Sequence, residues 1–152
     1  MDLGSESRVQ LLSDHIPAHV DAPKVERIVE NLIANAIKYC PPSAAIRVMV
    51  TTHQGVPALV VEDSGPGVDP AARDLIFEPF RRGDPGDGLP GVGIGLSLVR
   101  AFARLHGGDA CVEARPGGGA RFLVTLPSEK TEMPARRIDE ASSSALSLAS
   151  SS

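Results

Sequence analysis

The order of helical and strand signals along the chain predicts an α+β protein. The expected architecture is a two-layer α/β sandwich, with a mixed, mostly antiparallel sheet carrying its helices on one face. Three observations predict it. An apolar stripe of helical period runs from Val25 to Ala36. Strand-like runs follow one another in adjacent pairs instead of alternating singly with helices. One of these runs, Ala58 to Val61, is continuously apolar, as in a strand covered by helices.

The elements follow in order. Residues 8–12 alternate weakly and predict a short strand, and His15-Ile16-Pro17 predicts a turn. Asp21 is placed to cap a helix that Pro23 helps to start, because proline suits the first helical turn. Val25, Ile28, Val29, Leu32, Ile33 and Ala36 supply its buried stripe, and Pro41-Pro42 ends it. Strands are expected over Ala45 to Thr52 and Ala58 to Glu62, joined by a turn at Gln54-Gly55. Residues 64–69 read as loop, Pro70 to Ile76 as a short helix, and Glu78 to Gly95 as a long loop rich in Gly, Pro, Arg and Asp. A second long helix is expected from Gly95 to Leu105, closed by His106-Gly107-Gly108, where glycine can take the left-handed cap. A hairpin of Asp109–Ala114 and Arg121–Leu126 turns over Pro116-Gly117-Gly118-Gly119. Beyond Pro127 the composition changes: residues 1–127 are expected to form the domain, and 128–152 a disordered low-complexity tail ending ASSSALSLASSS.

The chain of 152 residues has room for one ordinary domain. A formal net charge of −4, with one Tyr, four Phe and no Trp, argues against nucleic acid as a partner. The apolar stretches fall short of a membrane span, and the first residues lack the blocks of a signal peptide, so the expected location is cytoplasmic. Cys40 and Cys111 stand far apart without CxxC spacing; they suggest neither a zinc site nor a redox pair and are expected to be small buried hydrophobes.

Three motifs carry chemistry. In Glu30 to Tyr39 (ENLIANAIKY), Asn31, Asn35 and Lys38 stand at i, i+4 and i+7 on one helical face, opposite the apolar stripe. Amide oxygens one turn apart can hold a hard cation such as Mg²⁺, and a lysine a turn further can meet phosphate; the plain alternative is a solvated polar face. Glu62-Asp63-Ser64-Gly65-Pro66-Gly67 follows the buried strand, so an acid stands at the rim of the core with glycines that let the backbone approach a flat base; here the alternative is an ordinary turn. In Gly91-Val92-Gly93-Ile94-Gly95-Leu96 the glycines open a helix whose free N–H groups can face phosphates. This GxGxG follows a loop, not a strand, which disfavours a dinucleotide fold. GK[ST], HRD and DFG are absent, which argues against a P-loop protein and against a Ser/Thr/Tyr protein kinase.

The ordered series NLIANAIKY, EDSGPGV, FEPFRRGD (Phe77 to Asp84), GVGIGLSLV and GGGARF (Gly117 to Phe122) resembles the asparagine, first glycine, phenylalanine, second glycine and third glycine boxes of sensor histidine kinases. Those kinases belong to the GHKL superfamily, shared with gyrase, the ninety-kilodalton heat-shock protein and MutL, and the resemblance implies the Bergerat fold. It covers residues 8–127 and implies ATP and Mg²⁺ as cofactors. By this resemblance Asn35 coordinates Mg²⁺ with Asn31 assisting, Lys38 contacts phosphate, and Tyr39 packs along the adenine. Asp63 binds the adenine amino group, and Gly65 and Gly67 shape that pocket. Gly91, Gly93 and Gly95 hinge a lid and cradle phosphates, Leu96 starts the helix, and Arg81 or Arg82 reaches the γ-phosphate.

In the ATP-hydrolysing relatives a glutamate stands one turn before the metal asparagine. Here that position is Asn31, a poor base, and Glu30 points about 100° around the helix. Slow hydrolysis and delivery of phosphate to a partner are therefore expected. Cys40 stands where Thr or Ser commonly follows the tyrosine, and Ala120 where Thr is usual. The family's phosphoacceptor histidine is missing: none of His15, His19, His53 and His106 fits, and His106 is expected to favour the negative end of its helix. The partner implied is a phosphoacceptor histidine domain, in the same kinase or a separate polypeptide, with a response regulator beyond it. The alternatives are an anti-sigma-factor-type serine kinase and a nucleotide-binding regulatory module without transfer.

Overall fold

The computed structural model describes residues 9–13, 16–79, 95–127 and 136–137. In chain order the elements are β1 (Val9–Ser13), β2 (Pro17–Ala18), α1 (Ala22–Tyr39), β3 (Ile46–His53) and β4 (Val56–Asp63). Two 3₁₀ turns follow at Pro70–Ala72 and Leu75–Phe77, then α2 (Gly95–Leu105), β5 (Ala110–Ala114), β6 (Ala120–Thr125) and β7 (Arg136–Arg137). Five strands form one sheet in the order β1-β3-β4-β6-β5. The β1–β3 pair is parallel and the other three are antiparallel, so the sheet is mixed and mostly antiparallel, as expected.

Helix α1 forms where the sequence places it. Asp21 accepts a hydrogen bond from the Lys24 backbone N–H at 3.3 Å and its carboxylate also meets the Lys24 ammonium, while Pro23 occupies the first turn. The helix buries Ala22, Val25, Ile28, Val29, Leu32, Ile33 and Ala36 in the core. Each of its five larger aliphatic side chains contributes roughly 1.5–3 kcal/mol by leaving water. These residues meet Ile46, Val48 and Val50 of β3, Leu59 and Val61 of β4, and Phe122 and Val124 of β6. Strand alternation then sets which residues of β4 face the helices: Leu59, Val61 and, at the strand's end, Asp63 opposite Ile46. Ala58, Val60 and Glu62 take the other face.

The β3–β4 hairpin closes through Gln54 and Gly55, both at positive φ, which matches the turn twist that two-residue hairpins favour. Helix α2 ends as its glycines foretell. The Gly107 N–H donates to Arg104 and the Gly108 N–H to Ala103, with Gly107 at positive φ.

Four expectations need correction. Residues 70–76 do not make one α-helix. The Asp69 carboxylate accepts from the Ala71 N–H and caps the start of a 3₁₀ turn of three residues, and a second follows at Leu75–Phe77. The turn expected at His15-Ile16-Pro17 gives way to β2, and within the expected tail Arg136–Arg137 pair antiparallel with Pro17–Ala18. His15 and the rest of 128–152 lie outside the described residues, as does most of the loop expected over Glu78 to Gly95. Cys111 is exposed instead of buried, because its register opposite Leu123 turns it to the sheet face away from the helices.

Candidate nucleotide site

At the end of β4 two acids stand side by side, and strand alternation gives them different surroundings. Glu62 faces away from the helices, where Arg121 Nη1 lies 3.1 Å and Arg115 Nε 3.8 Å from its carboxylate. Its charge is met. Asp63 faces the helices, is 5% exposed, and meets no cation among the described residues. Its Oδ1 accepts from the Gly65 N–H at 3.0 Å and from the Ala120 N–H at 3.3 Å. Two backbone donors fix one carboxylate oxygen, and the second lone-pair set, on Oδ2, is left for an outside donor.

The backbone around Asp63 is packed so closely that only glycine fits. A Cβ at Gly65 would stand 2.5 Å from Cys40 Sγ, the thiol directly after α1. A Cβ at Gly119 would overlap the Asp63 carbonyl oxygen, and Gly119 also sits at φ +105°. Gly67 lies against the same strand connection, with Gly119 its neighbour. Ser64 Oγ accepts from the Ala45 N–H at 3.2 Å and ties the turn to the start of β3. The first and third glycine motifs therefore share one contact surface, and Cys40 joins the end of α1 to it.

On α1, Asn31, Asn35 and Lys38 are half-buried and Tyr39 is 46% exposed. Lys38 Nζ lies 5.1 Å from the centre of the Tyr39 ring. Glu30 turns aside, its carboxylate 3.8 Å from Arg27 Nη1. Asn31 Nδ2 donates to the carbonyl of Gly95 at 3.3 Å and so connects α1 to the first residue of α2. Leu96, next in α2, packs on the core. Arg81, Arg82, Gly91 and Gly93 lie outside the described residues.

The phenylalanine motif reaches the same region through packing. Phe77 is buried and meets Phe122 edge-on, with ring centres 6.2 Å apart, while the Arg100 guanidinium lies 4.3 Å from the Phe77 ring centre. Arg100 also donates to the Ala110 carbonyl at 2.9 Å and pairs with Asp109 at 3.3 Å. It binds the 3₁₀ turn, α2 and β5 together. Sequence reasoning did not single out Arg100, because a lone arginine on a helix carries no pattern. Nor did it find the Ala120 N–H, since a backbone donor has no letter of its own.

His106 is fully buried. Its Nδ1–H donates to the Phe102 carbonyl at 2.8 Å and its Nε2 accepts from the Asp21 N–H at 3.1 Å. In this arrangement Nε2 carries no proton, so the ring holds the two helices together as a neutral tautomer. It does not act as the helix-end cation expected from the sequence. The Cys111 thiol, exposed in part yet partly desolvated by its surroundings, is pushed above its ordinary value by that desolvation and by Glu113 and Asp109, against a lowering by Arg100. Among the described residues no helix is long and apolar enough to cross a membrane.

This architecture is that of the Bergerat α/β sandwich, with a buried acid at the end of β4 and a row of amides on α1. Residues 20–130 match the family described as histidine kinase-, DNA gyrase B- and HSP90-like ATPases, and the chain belongs to that family. It is 42% identical over 124 residues to the sensor histidine kinase TmoS of Ectopseudomonas mendocina, covering 80% of this chain and 13% of TmoS. Its fold matches the mycobacterial sensor histidine kinase MprB with a TM-score of 0.67 at 28% identity, covering 83% of this chain and 88% of that one. It also matches full-length ShkA in complex with AMPPNP, with a TM-score of 0.67 at 26% identity, over 86% of this chain and 28% of ShkA. The chain spans about an eighth of the length of curated relatives such as TmoS.

Proposed function

We propose that residues 1–127 bind MgATP and transfer its γ-phosphoryl group to a histidine on a separate dimerisation and phosphotransfer domain, in two-component signalling. Asp63 carries the reading. A carboxylate buried at a strand end, with one oxygen held by two backbone donors, fits an adenine amino group as the donor to the other oxygen. Burying such a charge without a further partner is costly, so the arrangement favours a ligand that supplies one. The AMPPNP held by the related ShkA supports the same ligand class.

The rest of the site follows from chemistry. Asn35, with Asn31, offers neutral amide oxygens of the kind Mg²⁺ accepts alongside water and phosphate. When bound, Mg²⁺ supplies charge neutralisation on the phosphates. Lys38 contributes a cation one turn on, Tyr39 covers the adenine, and Gly65 and Gly67 shape the base pocket. Gly91, Gly93, Gly95 and Leu96 present backbone N–H groups to phosphate, and Arg81 or Arg82 meets the γ-phosphate. With an amide at position 31, that position offers no base for water, which favours keeping the phosphoryl group for a protein acceptor. The chain works on the cytoplasmic side, with a response regulator receiving the phosphate in turn.

The test is a mixing assay with γ-labelled ATP, Mg²⁺ and candidate histidine-containing domains. The expected product is a labelled acceptor that loses its phosphate in acid and keeps it in alkali. An acid-stable label would move the assignment to a serine kinase. Nucleotide binding without transfer to any candidate would favour a regulatory module.

A further inference from the structure

Two hydrogen bonds that join helices α1 and α2 differ in kind. At one, His106 just beyond α2 accepts from the Asp21 N–H at the start of α1. At the other, Asn31 in α1 donates through Nδ2 to the Gly95 carbonyl at the start of α2. The helices therefore run antiparallel. Between the joints α1 advances from residue 21 to 31 and α2 from 95 to 106, nearly equal lengths of helix at about 1.5 Å per residue. The two hydrogen bonds together set the register of α2 along α1.

The Asn31 joint has a chemical consequence. A carbonyl oxygen only accepts, so the half of the Asn31 amide facing Gly95 is its NH₂, and Oδ1 is turned the other way. We propose that Asn31 is a positioning residue: its NH₂ holds the first turn of α2 against the face of α1 that carries Asn35 and Lys38, and thereby aims the free N–H groups of that turn at the nucleotide's phosphates. The inference rests on the nucleotide site proposed above, and it gives Asn31 a task that does not depend on metal. Asn31 is half-buried and the bond spans 64 positions of sequence, so it is a tertiary contact and not a local turn.

Asn31→Asp separates this task from metal ligation. It keeps size and an oxygen for Mg²⁺ but sets a carboxylate against the Gly95 carbonyl, with no donor between them. Two measurements decide. Amide hydrogen exchange of the nucleotide-free protein should be about tenfold faster at Leu98 to Phe102 in Asn31→Asp and Asn31→Ala, and unchanged there in Asn35→Ala, with β4 unchanged in all three. Calorimetric titration with AMPPNP in EDTA, where no metal contributes, should show both Asn31 variants weakened about tenfold. Unaltered exchange at Leu98 to Phe102 in Asn31→Asp would overturn the proposal. So would an affinity loss that appears only with Mg²⁺ in place of EDTA and is absent in Asn31→Asp, because Asn31 would then be a metal ligand and nothing more. If the unmodified protein itself binds no AMPPNP, the nucleotide reading fails, while the exchange data still judge the Asn31–Gly95 bond.

Discussion

The proposed base end and the proposed phosphate end of the site are built differently. Asp63 belongs to the sheet: it is almost fully buried, and two backbone N–H groups, one from the turn after β4 and one from the first residue of β6, hold one of its oxygens. Asn31, Asn35 and Lys38 ride on a helix face, half-buried, and a side-chain hydrogen bond of 3.3 Å links that face to the start of α2. The acid proposed to read the base is thus preorganised by close packing, while the groups proposed for metal and phosphate sit where small helix movements can adjust them. Such a division suits an enzyme that must hold a nucleotide and then present its outer phosphate to another domain.

The comparison can be broken most forcefully at Gly119. Gly119→Ala should cost about 3 kcal/mol of stability, since its Cβ would overlap the Asp63 carbonyl and its backbone lies at positive φ. The melting temperature should fall and nucleotide binding should be lost with it. Asp63→Asn spares the fold, because an amide oxygen can still accept from Gly65 and Ala120, but it sets an NH₂ against the adenine amino group. ATP affinity by calorimetry should weaken by about 2 kcal/mol, roughly thirtyfold. Asn35→Ala should leave affinity for Mg²⁺-free nucleotide near that of the unmodified chain and slow Mg²⁺-dependent transfer roughly tenfold in the mixing assay.

The smallest effect lies away from the site. Burial acts to raise the Asp21 carboxyl, but the hydrogen bonds and charge of Lys24 outweigh it and hold it below its ordinary value. A carboxylate so lowered stabilises the fold above its unfolded value, and that contribution disappears as pH falls through the folded one. Asp21→Ala should therefore cost about 1 kcal/mol at neutral pH, with the gap between variant and parent closing in acid when melting is followed against pH.

What the sequence made legible was whatever repeats or punctuates. The stripe from Val25 to Ala36, the Asp21 cap, the Gln54-Gly55 turn and the Gly107 cap were all readable, because each is a local pattern with a local cause. The short run at Pro70 to Phe77 was misread, since two 3₁₀ turns and one helical turn share the same letters at that length. Cys111 was misplaced because its face depends on register against Leu123, and register belongs to the pair of strands. Of the candidate site, the placement of Asp63 at the buried end of β4 and of Asn31, Asn35 and Lys38 on one helix was readable from position and spacing. The Asn31–Gly95 and His106–Asp21 bonds were not, for they connect residues 64 and 85 positions apart, and no single stretch of sequence records such a meeting.

The central claim is that Asp63 reads the amino group of adenine, and a paired titration tests it most directly. Mg²⁺ complexes of AMPPNP and of the matching guanine analogue would be titrated into the same protein by calorimetry. Guanine places a carbonyl where adenine has its amino group, an acceptor against a carboxylate, so the adenine analogue should bind at least tenfold more tightly. Equal affinities for the two bases, or heat from neither, would contradict the account.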